Sequence, residues 1–469
     1  MSTVPVSSPR APDLRWWGLL SIVIALGVVV GWTIAAGVLF LVLVQVARPF
    51  DFLTAFLLVV GGASFVEYTG GRLTIQLGIL TCGILVMLVC YMVSNRGRIL
   101  VVPKTPMTWP LLCFVALSIA NSIRGFLVGY SPKYLGFELI ALLALASAFL
   151  VANAFERRRH LLWAVLGLVV VGYVTAIRGF EVFAVSRTHG AGYTMAAPGL
   201  VAVLLINLAL RSRSSPAAVG LILLAVPMLI QQFVTFGRGL WTGCIAALVA
   251  SVAIFAGVRF GSGPRWRRTL LVLAVLTAVG LAGALVAAYG FGREDMLRQA
   301  GVRFQSSYDT RISFETQSNL IRLAEYLFVW KLIQQSPWFG HGVGYAFTMK
   351  QVISMEVGEQ WYAHQYYLFV WLKQGIVGLG LFLWLLYVAI AVGVREARRR
   401  PDPLESSWFA TAAAATIFLA VLSLSNFPFG VVNEMFLLAL LWGGAMAMTG
   451  SGSVYLRWLD LPARAPDGA

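Results

Sequence analysis

One histidine stands where a titratable side chain is unusual, at the start of a long apolar segment. His364 lies in WYAHQYYLFVWLKQG, between Tyr362 and Tyr366. An imidazole takes or releases a proton near neutral pH, which makes it a candidate general base. A single histidine beside aromatic residues at a membrane surface is also typical of an interfacial aromatic belt. Composition alone favours the belt, and the general base stays open as the alternative.

An arginine forms the second candidate for chemistry. Arg238 lies in TFGRGLWTG, a connection so short that the guanidinium must sit at or within the membrane boundary. An uncompensated arginine costs about 2.5–3.5 kcal/mol at the centre of a membrane helix, so an anion is expected nearby. That anion is a lipid headgroup, a substrate phosphate, or a carboxylate such as Glu67, Glu138, Glu181 or Glu434.

The histidines do not form the pattern of a metal site. His189, His341 and His364 are expected on the outer side of the membrane, but none is paired at the i, i+4 spacing of a helical zinc site. The four cysteines fall inside apolar segments, without disulfide or metal spacing. The sequence therefore predicts no metal and no other cofactor.

The composition is that of a polytopic membrane protein. Hydrophobic residues make up 59% of the 469 residues and charged residues only 12%, against roughly 25% charged in soluble proteins. The formal charge of +16 includes arginine clusters in short connections, such as 157–159, 265–268 and 395–400. Such clusters indicate cytoplasmic loops, so we predict no nucleic-acid partner.

The apolar segments predict an all-α fold of about 12–14 transmembrane helices, with a large helical loop on the periplasmic or extracellular side. We divide the chain into N-terminal transmembrane helices with outer arginine loops (1–289), an outer cap loop (290–362), C-terminal transmembrane helices (363–449) and a cytoplasmic tail (450–469). The cap loop mixes both signs of charge and is too long to lack structure.

A helix is predicted inside the cap loop. Residues 319–335 show helical periodicity, with Leu320, Leu323, Leu327 and Trp330 on one stripe. The segment SPWFGHGVGYAF follows, and its proline and three glycines predict a helix stop and a tight turn. We therefore expect an amphipathic surface helix that ends in a glycine-rich turn.

Three segments, taken in order, resemble one family. TFGRGLWTG is similar to a Ser-Arg-Gly element, with Gly237 in place of the serine. Arg322, followed fifteen residues later by Pro337 in SPWFGHGVGYAF, resembles an arginine helix and a Pro-x-x-Gly-x-Gly turn. HQYYLFVWLKQGIVGLGLF is similar to a His-Asn-x-x-Leu opening with a downstream Gly-x-x-Gly. The family is that of the O-antigen ligases and the O-antigen or exopolysaccharide polymerases, and the resemblance covers about residues 220–390.

The resemblance has one extension and two departures. SRTHGAGYTMAAPG is similar to the family's Arg-x-x-Gly segment and makes Arg187 the matching arginine, although the usual Asn-Pro is absent. Gln365 stands where the family usually has asparagine. Lys373 stands where an acidic residue is common, and the family pattern leaves this lysine unexplained.

The resemblance implies an integral membrane glycosyltransferase. It would transfer a glycan from undecaprenyl diphosphate to a sugar hydroxyl, with inversion at the anomeric carbon and without a metal. His364 is then the base that takes the proton of the acceptor hydroxyl. The residues expected to bind the diphosphate in place of Mg²⁺ are Arg187, Arg238 and Arg322. The residues expected to stack on sugars, with interfacial anchoring as the alternative, are Tyr362, Tyr366 and Trp338.

The implied function is polymerisation of lipid-linked repeat units into O-antigen or exopolysaccharide, in the bacterial inner membrane with the active site facing the periplasm. The implied partners are the undecaprenyl-diphosphate-linked donor, a glycan acceptor, membrane lipid and a co-polymerase that regulates chain length. The alternative within the family is an O-antigen ligase, which transfers the glycan to the lipid A core. We favour the polymerase because the apolar segments outnumber those expected of the ligase and the acidic residue near His364 is absent.

A solute transporter is the alternative from another class, because multi-spanning proteins with charges in the membrane are often transporters. Against this alternative, the sequence has no inverted repeat and no matching pair of helices broken by glycine or proline. Its polar residues instead gather on one side of the membrane.

Overall fold

The computed structural model describes the chain from residue 51 onwards, with gaps. The described residues are 51–68, 73–94, 101–155, 158–186, 196–212, 214–234, 237–256, 313–350, 357–450 and 453–455. The apolar segments predicted before residue 51 and between 257 and 312 lie outside these ranges, as does most of the tail.

The described ranges fold mainly into α-helices. In chain order the helices are α1 (Phe52–Tyr68), α2 (Leu73–Ser94), α3 (Thr108–Val128), α4 (Pro132–Ala146), α5 (Ala148–Ala154), α6 (Arg158–Ser186), α7 (Ala196–Arg211), α8 (Ser215–Val234), α9 (Arg238–Ala256), α10 (Ser313–Gln335), α11 (Tyr366–Arg399), α12 (Pro403–Leu422) and α13 (Val432–Thr449). A 3-10 turn at Pro428–Gly430 connects α12 to α13. The predicted all-α class is confirmed.

The described residues include four short strands, which form two antiparallel pairs. They are β1 (Val101–Pro103) with β4 (Ser453–Tyr455), and β2 (Phe347–Lys350) with β3 (Val357–Gln360). The pair of β2 and β3 lies in the cap loop, which was predicted to be helical. Strands of four residues are too short to show a period of two in the sequence, so their existence depends on the pairing itself.

Seven segments of the described chain are long and apolar enough to cross a membrane. They are Thr108–Val128, Pro132–Ala154, Arg158–Ile177, Ser215–Gln232, Tyr366–Arg399, Pro403–Leu422 and Val432–Thr449. Shorter apolar helices lie at Cys82–Val93, Ala196–Arg211 and Gly239–Phe255. The chain is therefore a multi-pass membrane protein, as its composition predicted.

Helices α12 and α13 lie at the centre of the bundle. In the apolar window of α12 72% of the residues are buried, and in that of α13 83%, against 28% in α3. Two indoles join the helices: Trp408 donates to the carbonyl of Leu441 at 3.1 Å, and Trp442 donates to Oγ1 of Thr416 at 3.0 Å. Buried alanines at 412–415 let neighbouring helices approach α12 closely.

On one side of the bundle, arginine side chains donate hydrogen bonds to backbone carbonyls at or near the C-terminal ends of helices. Arg211 donates to the carbonyls of Arg400 and Pro401, which follow α11, at 3.1 and 3.2 Å. Arg398 donates to the carbonyl of Ile254 near the end of α9, and Arg400 to that of Met448 near the end of α13. Because helix C-termini carry partial negative charge, these cations are favourable there. The basic end of the bundle is thus the end at which α11 stops and α12 begins.

The helix α11 is broken at Gly375, although its apolar sequence predicted a continuous span. Gly375 has φ 69° and ψ −173°, a conformation essentially restricted to glycine. The turn after α10 docks at the break: the N–H of His341 donates to the carbonyl of Leu372 at 2.8 Å, and the N–H of Ile376 donates to the carbonyl of Pro337 at 2.9 Å. The turn therefore satisfies backbone groups that the break releases from the helix.

Replacing Gly375 with alanine tests how far stability depends on this break. The added Cβ would lie 2.0 Å from the carbonyl oxygen of Trp338. The backbone conformation alone costs a non-glycine residue about 1–3 kcal/mol. We therefore expect Gly375→Ala to lower the midpoint temperature of unfolding in detergent by several degrees.

Gly380→Ala is the matched control, because it changes the same helix and nothing lies within 4 Å of its added Cβ. Equal midpoint temperatures for the two variants would contradict the role assigned to the break.

Candidate active site

Helix α10 presents two charged side chains on the face that packs against the bundle. Glu325 is 3% exposed and lies on the buried side of the helix with Val329 and Ile333. Arg322 precedes Glu325 by three residues, so the two side chains lie on the same face, one turn apart. A buried carboxylate needs hydrogen-bond donors, and the structure supplies them from the chain that precedes α11.

The opposite face of α10 is apolar and exposed. Leu323 is 52% exposed, Leu327 57% and Trp330 41%. The sequence predicted these residues on one face of a helix, and the helix is observed. Leu323 and Leu327 point away from the protein, while the Trp330 ring also meets the Trp371 ring edge-on at 5.3 Å. In a membrane protein an outward apolar face is ordinary, because the surroundings include lipid.

His364 is held by Glu325 through two hydrogen bonds. Nδ1 of the His364 ring lies 2.7 Å from Oε2 of Glu325, and the backbone N–H of His364 donates to Oε1 at 2.9 Å. The His364 side chain is 36% exposed, whereas that of Glu325 is 3% exposed. The ring therefore meets a buried carboxyl group at Nδ1, and this contact leaves its other nitrogen, Nε2, for another molecule.

Three helices meet at the segment Ser423–Asn426, which follows α12. Arg322 of α10 donates from Nη1 to the carbonyl of Ser425 at 3.1 Å. Gly239, at the start of α9, lies so close that an added Cβ would be 2.5 Å from Oγ of Ser425. Tyr366, the first residue of α11, donates its N–H to the carbonyl of Ser423 at 3.0 Å. The starts of α9 and α11 and the Arg322 face of α10 thus share one contact segment.

A family comparison identifies this region. Residues 223–383, which run from α8 into α11, match the family model described as O-antigen ligase. They form an O-antigen ligase family domain. The predicted family is confirmed, and it implies a glycosyltransferase-like enzyme that acts on a glycan and a lipid-linked substrate. No curated protein matched the chain.

The structure brings together two of the family residues and the backbone of a third. His364 and Arg322 are connected through Glu325 and the turn of α10 between them. Arg238 is the first residue of α9, where its backbone adjoins Gly239 at the shared segment. Arg187 lies outside the described residues, so its place in the family site stays a prediction.

The three predicted sugar-stacking residues lie in different surroundings. The Tyr362 ring meets the His364 ring edge-on, with centroids 5.4 Å apart. Tyr366 is buried against Phe369 and Phe427, which favours a packing role for it. Trp338 belongs to the turn that docks at the break in α11, away from the start of that helix, and is 68% exposed.

Lys373, the departure from the family pattern, forms a buried ion pair. Its Nζ lies 2.6 Å from Oε1 of Glu138 on α4, and the two side chains are 1% and 7% exposed. Nζ also donates to the carbonyl of Tyr345 at 2.6 Å, and the N–H of Gly344 donates to Oε1 of Glu138 at 3.2 Å. Glu138 was a possible partner of Arg238 in the sequence, and its observed partner is Lys373 instead.

Further contacts hold the same turn against α3 and α10. Arg124 donates to the carbonyl of Gly340 at 3.1 Å, and the Tyr130 hydroxyl donates to the carbonyl of His341 at 2.9 Å. The His341 ring donates from Nε2 to the carbonyl of Leu332 at 2.8 Å. Nε2 of His341 is therefore engaged in a contact that holds the turn.

Sequence reasoning missed two residues that contact His364 and Arg322, namely Glu325 and Ser425. Glu325 carried a usable signal, since it lies three residues after Arg322 in a helix predicted from its periodicity. Ser425 carried none, because its contribution to Arg322 is a backbone carbonyl, which every residue type offers.

The Lys373–Glu138 pair gives a stability prediction. Removing one partner leaves the other charge buried and unpaired, which typically costs about 3–5 kcal/mol. We expect Lys373→Met to lower the midpoint temperature of unfolding in detergent strongly. The double variant Lys373→Met with Glu138→Met should regain most of the loss, because it leaves no unpaired charge.

Lys331→Met is the control, since Lys331 is exposed on α10 and substitutions at such positions usually change stability by less than about 0.5 kcal/mol. A single Lys373→Met variant as stable as this control would show that the pair does not support the turn.

Proposed function

We propose that the protein is a membrane glycosyltransferase that polymerises undecaprenyl-diphosphate-linked repeat units into O-antigen or exopolysaccharide on the outer face of the inner membrane. The observation that carries the proposal is the arrangement of His364, Glu325 and Arg322 at one end of the bundle. Glu325 and one turn of α10 connect His364 to Arg322, and both residues lie in the range that matches the O-antigen ligase family model. This supports a proton acceptor and a cation in one proposed site.

The proposed reaction uses His364 as general base. The acceptor hydroxyl gives its proton to Nε2 of His364 while its oxygen attacks the anomeric carbon of the donor sugar. A new glycosidic bond forms, and the bond from that carbon to the diphosphate oxygen breaks. Undecaprenyl diphosphate leaves with the electron pair, and the configuration at the anomeric carbon inverts.

Arginine is the proposed counter-charge for the leaving diphosphate. Negative charge grows on the diphosphate in the transition state, and guanidinium groups match phosphate oxygens geometrically. Arg322 lies at the site, and Arg238 starts the helix beside it. Arg187 completes the proposed set from its sequence motif. In this proposal the arginines take the place of a metal ion.

The apolar stripe of α10 favours a lipid-linked donor. Leu323 directly follows Arg322, and with Leu327 and Trp330 it lies on the exposed face of α10 opposite Glu325. A donor whose diphosphate reaches Arg322 would have apolar side chains within reach of its polyprenyl chain. A free nucleotide sugar would make no use of this surface.

The distribution of arginines supports an outward-facing site. Arg211, Arg398 and Arg400 lie at the end of the bundle where α11 stops, whereas His364 precedes the start of α11. Short basic connections stay in the cytoplasm. His364 would then lie on the periplasmic side, where a glycan acceptor is accessible.

Ligation to the lipid A core is the second candidate, because the matching family model is described as O-antigen ligase. The two activities share the donor and differ in the acceptor. The absence of an acidic residue at position 373 is only a weak argument for the polymerase, because Lys373 forms an ion pair within the protein.

His364→Ala tests the base assignment. We expect it to lower transfer from a purified undecaprenyl-diphosphate-linked repeat unit by about 100-fold or more, with unchanged abundance in the membrane. His160→Ala is the control, because His160 lies near the start of α6 at the basic end of the bundle. Transfer retained by His364→Ala at normal abundance would overturn the assignment.

A second assay separates the polymerase from the ligase. The purified protein receives the lipid-linked repeat unit alone, or together with lipid A core. A polymerase should build longer lipid-linked chains from the repeat unit alone. Products that appear only on lipid A core would identify a ligase instead.

A further inference from the structure

We infer that Glu325 is the positioning residue of His364: it holds the ring in the tautomer whose Nε2 is free to accept a proton. The inference rests on the proposed function and adds a residue that the family motifs did not single out. It depends on contacts between α10 and the chain that enters α11.

The geometry selects the tautomer. An ionised carboxylate has only acceptor oxygens, so the Nδ1 that lies 2.7 Å from Oε2 of Glu325 must carry the hydrogen. A neutral imidazole carries one ring hydrogen, so Nε2 then holds the lone pair. The second contact, from the backbone N–H of His364 to Oε1 at 2.9 Å, fixes the position of the same residue. The two carboxylate oxygens of Glu325 therefore accept hydrogen bonds from the backbone and from the ring of the same histidine.

Burial makes the carboxylate a suitable partner. Glu325 is 3% exposed, so water contributes little to stabilising its charge. When His364 takes a proton, the imidazolium forms directly beside this buried anion. The transition state for proton transfer is thus favoured by an electrostatic interaction that is organised before the reaction begins.

The neighbouring phenol is a poor competitor for the proton. Tyr326 follows Glu325 on α10, and burial raises the pKa of its hydroxyl, with Glu325 raising it further and Arg322 opposing. The side chain therefore stays neutral near neutral pH and does not act as a base.

A structural anchor would use the same two contacts, so the test must separate anchoring from tautomer control. Glu325→Gln does so. The glutamine oxygen can accept from the backbone N–H of His364, while the glutamine NH₂ donates to Nδ1. Both contacts survive, but the ring must then carry its hydrogen on Nε2, and Nε2 can no longer accept a proton.

We expect Glu325→Gln to lower kcat by roughly a hundredfold. The KM for the lipid-linked repeat unit should stay within about threefold and the midpoint temperature of unfolding should stay near that of the unchanged protein, because packing and both hydrogen bonds are retained. The control is Glu405→Gln, the same substitution in a carboxylate that pairs with Arg400 at the basic end. A purely structural Glu325 would instead leave kcat near normal in the glutamine variant, and that result would overturn the inference.

A double variant separates failure of this inference from failure of the proposed function. If Glu325 acts through His364, Glu325→Gln should cause no further loss of kcat in a His364→Ala background. Full activity of His364→Ala would refute the proposed base itself. Loss in His364→Ala combined with full activity in Glu325→Gln would refute the positioning role alone.

Discussion

The break in α11 at Gly375 is the constraint on which the candidate site depends. A helix in an apolar surrounding cannot leave backbone groups unpaired, because no water is available to replace the lost hydrogen bonds. The turn after α10 supplies the partners, for example where the N–H of Gly342 donates to the carbonyl of Lys373 at 2.9 Å. Since this turn is continuous with α10, its docking fixes where Glu325 stands relative to His364.

The buried pair of Lys373 and Glu138 secures the same turn from the α4 side. Each charge would be costly alone in this environment, and together they also satisfy a carbonyl and an N–H of the turn. The chain can therefore carry Lys373 where the family commonly has an acidic residue, because Glu138 pairs with the lysine inside the protein. The Lys373 side chain is 1% exposed, and its hydrogen bonds go to Glu138 and to the carbonyl of Tyr345 in the turn.

The sequence predicted the fold class, the cap helix and the three motif segments. It could do so because hydrophobic periodicity and short motifs are local signals. The structure shows that residues of these three segments meet near Ser423–Asn426. The pairs that hold His364 and the turn after α10 are not local: Glu325 and His364 lie 39 residues apart, and Glu138 and Lys373 lie 235 apart. Nothing in either segment alone selects its partner. The break at Gly375 was missed for the same reason, since its replacement hydrogen bonds come from another segment.

Helix α10 connects the two environments that a lipid-linked substrate must bridge. Its charged face is held against the bundle by Ser425 and His364, and its apolar face, with Leu327 near the middle, remains exposed. A soluble cap helix would show the reverse, with apolar residues inward and charges outward. The inversion places Arg322 at a boundary between apolar surroundings and a polar site. A substrate with an anionic head and a long apolar chain needs such a boundary, because neither water nor lipid alone accommodates both of its parts.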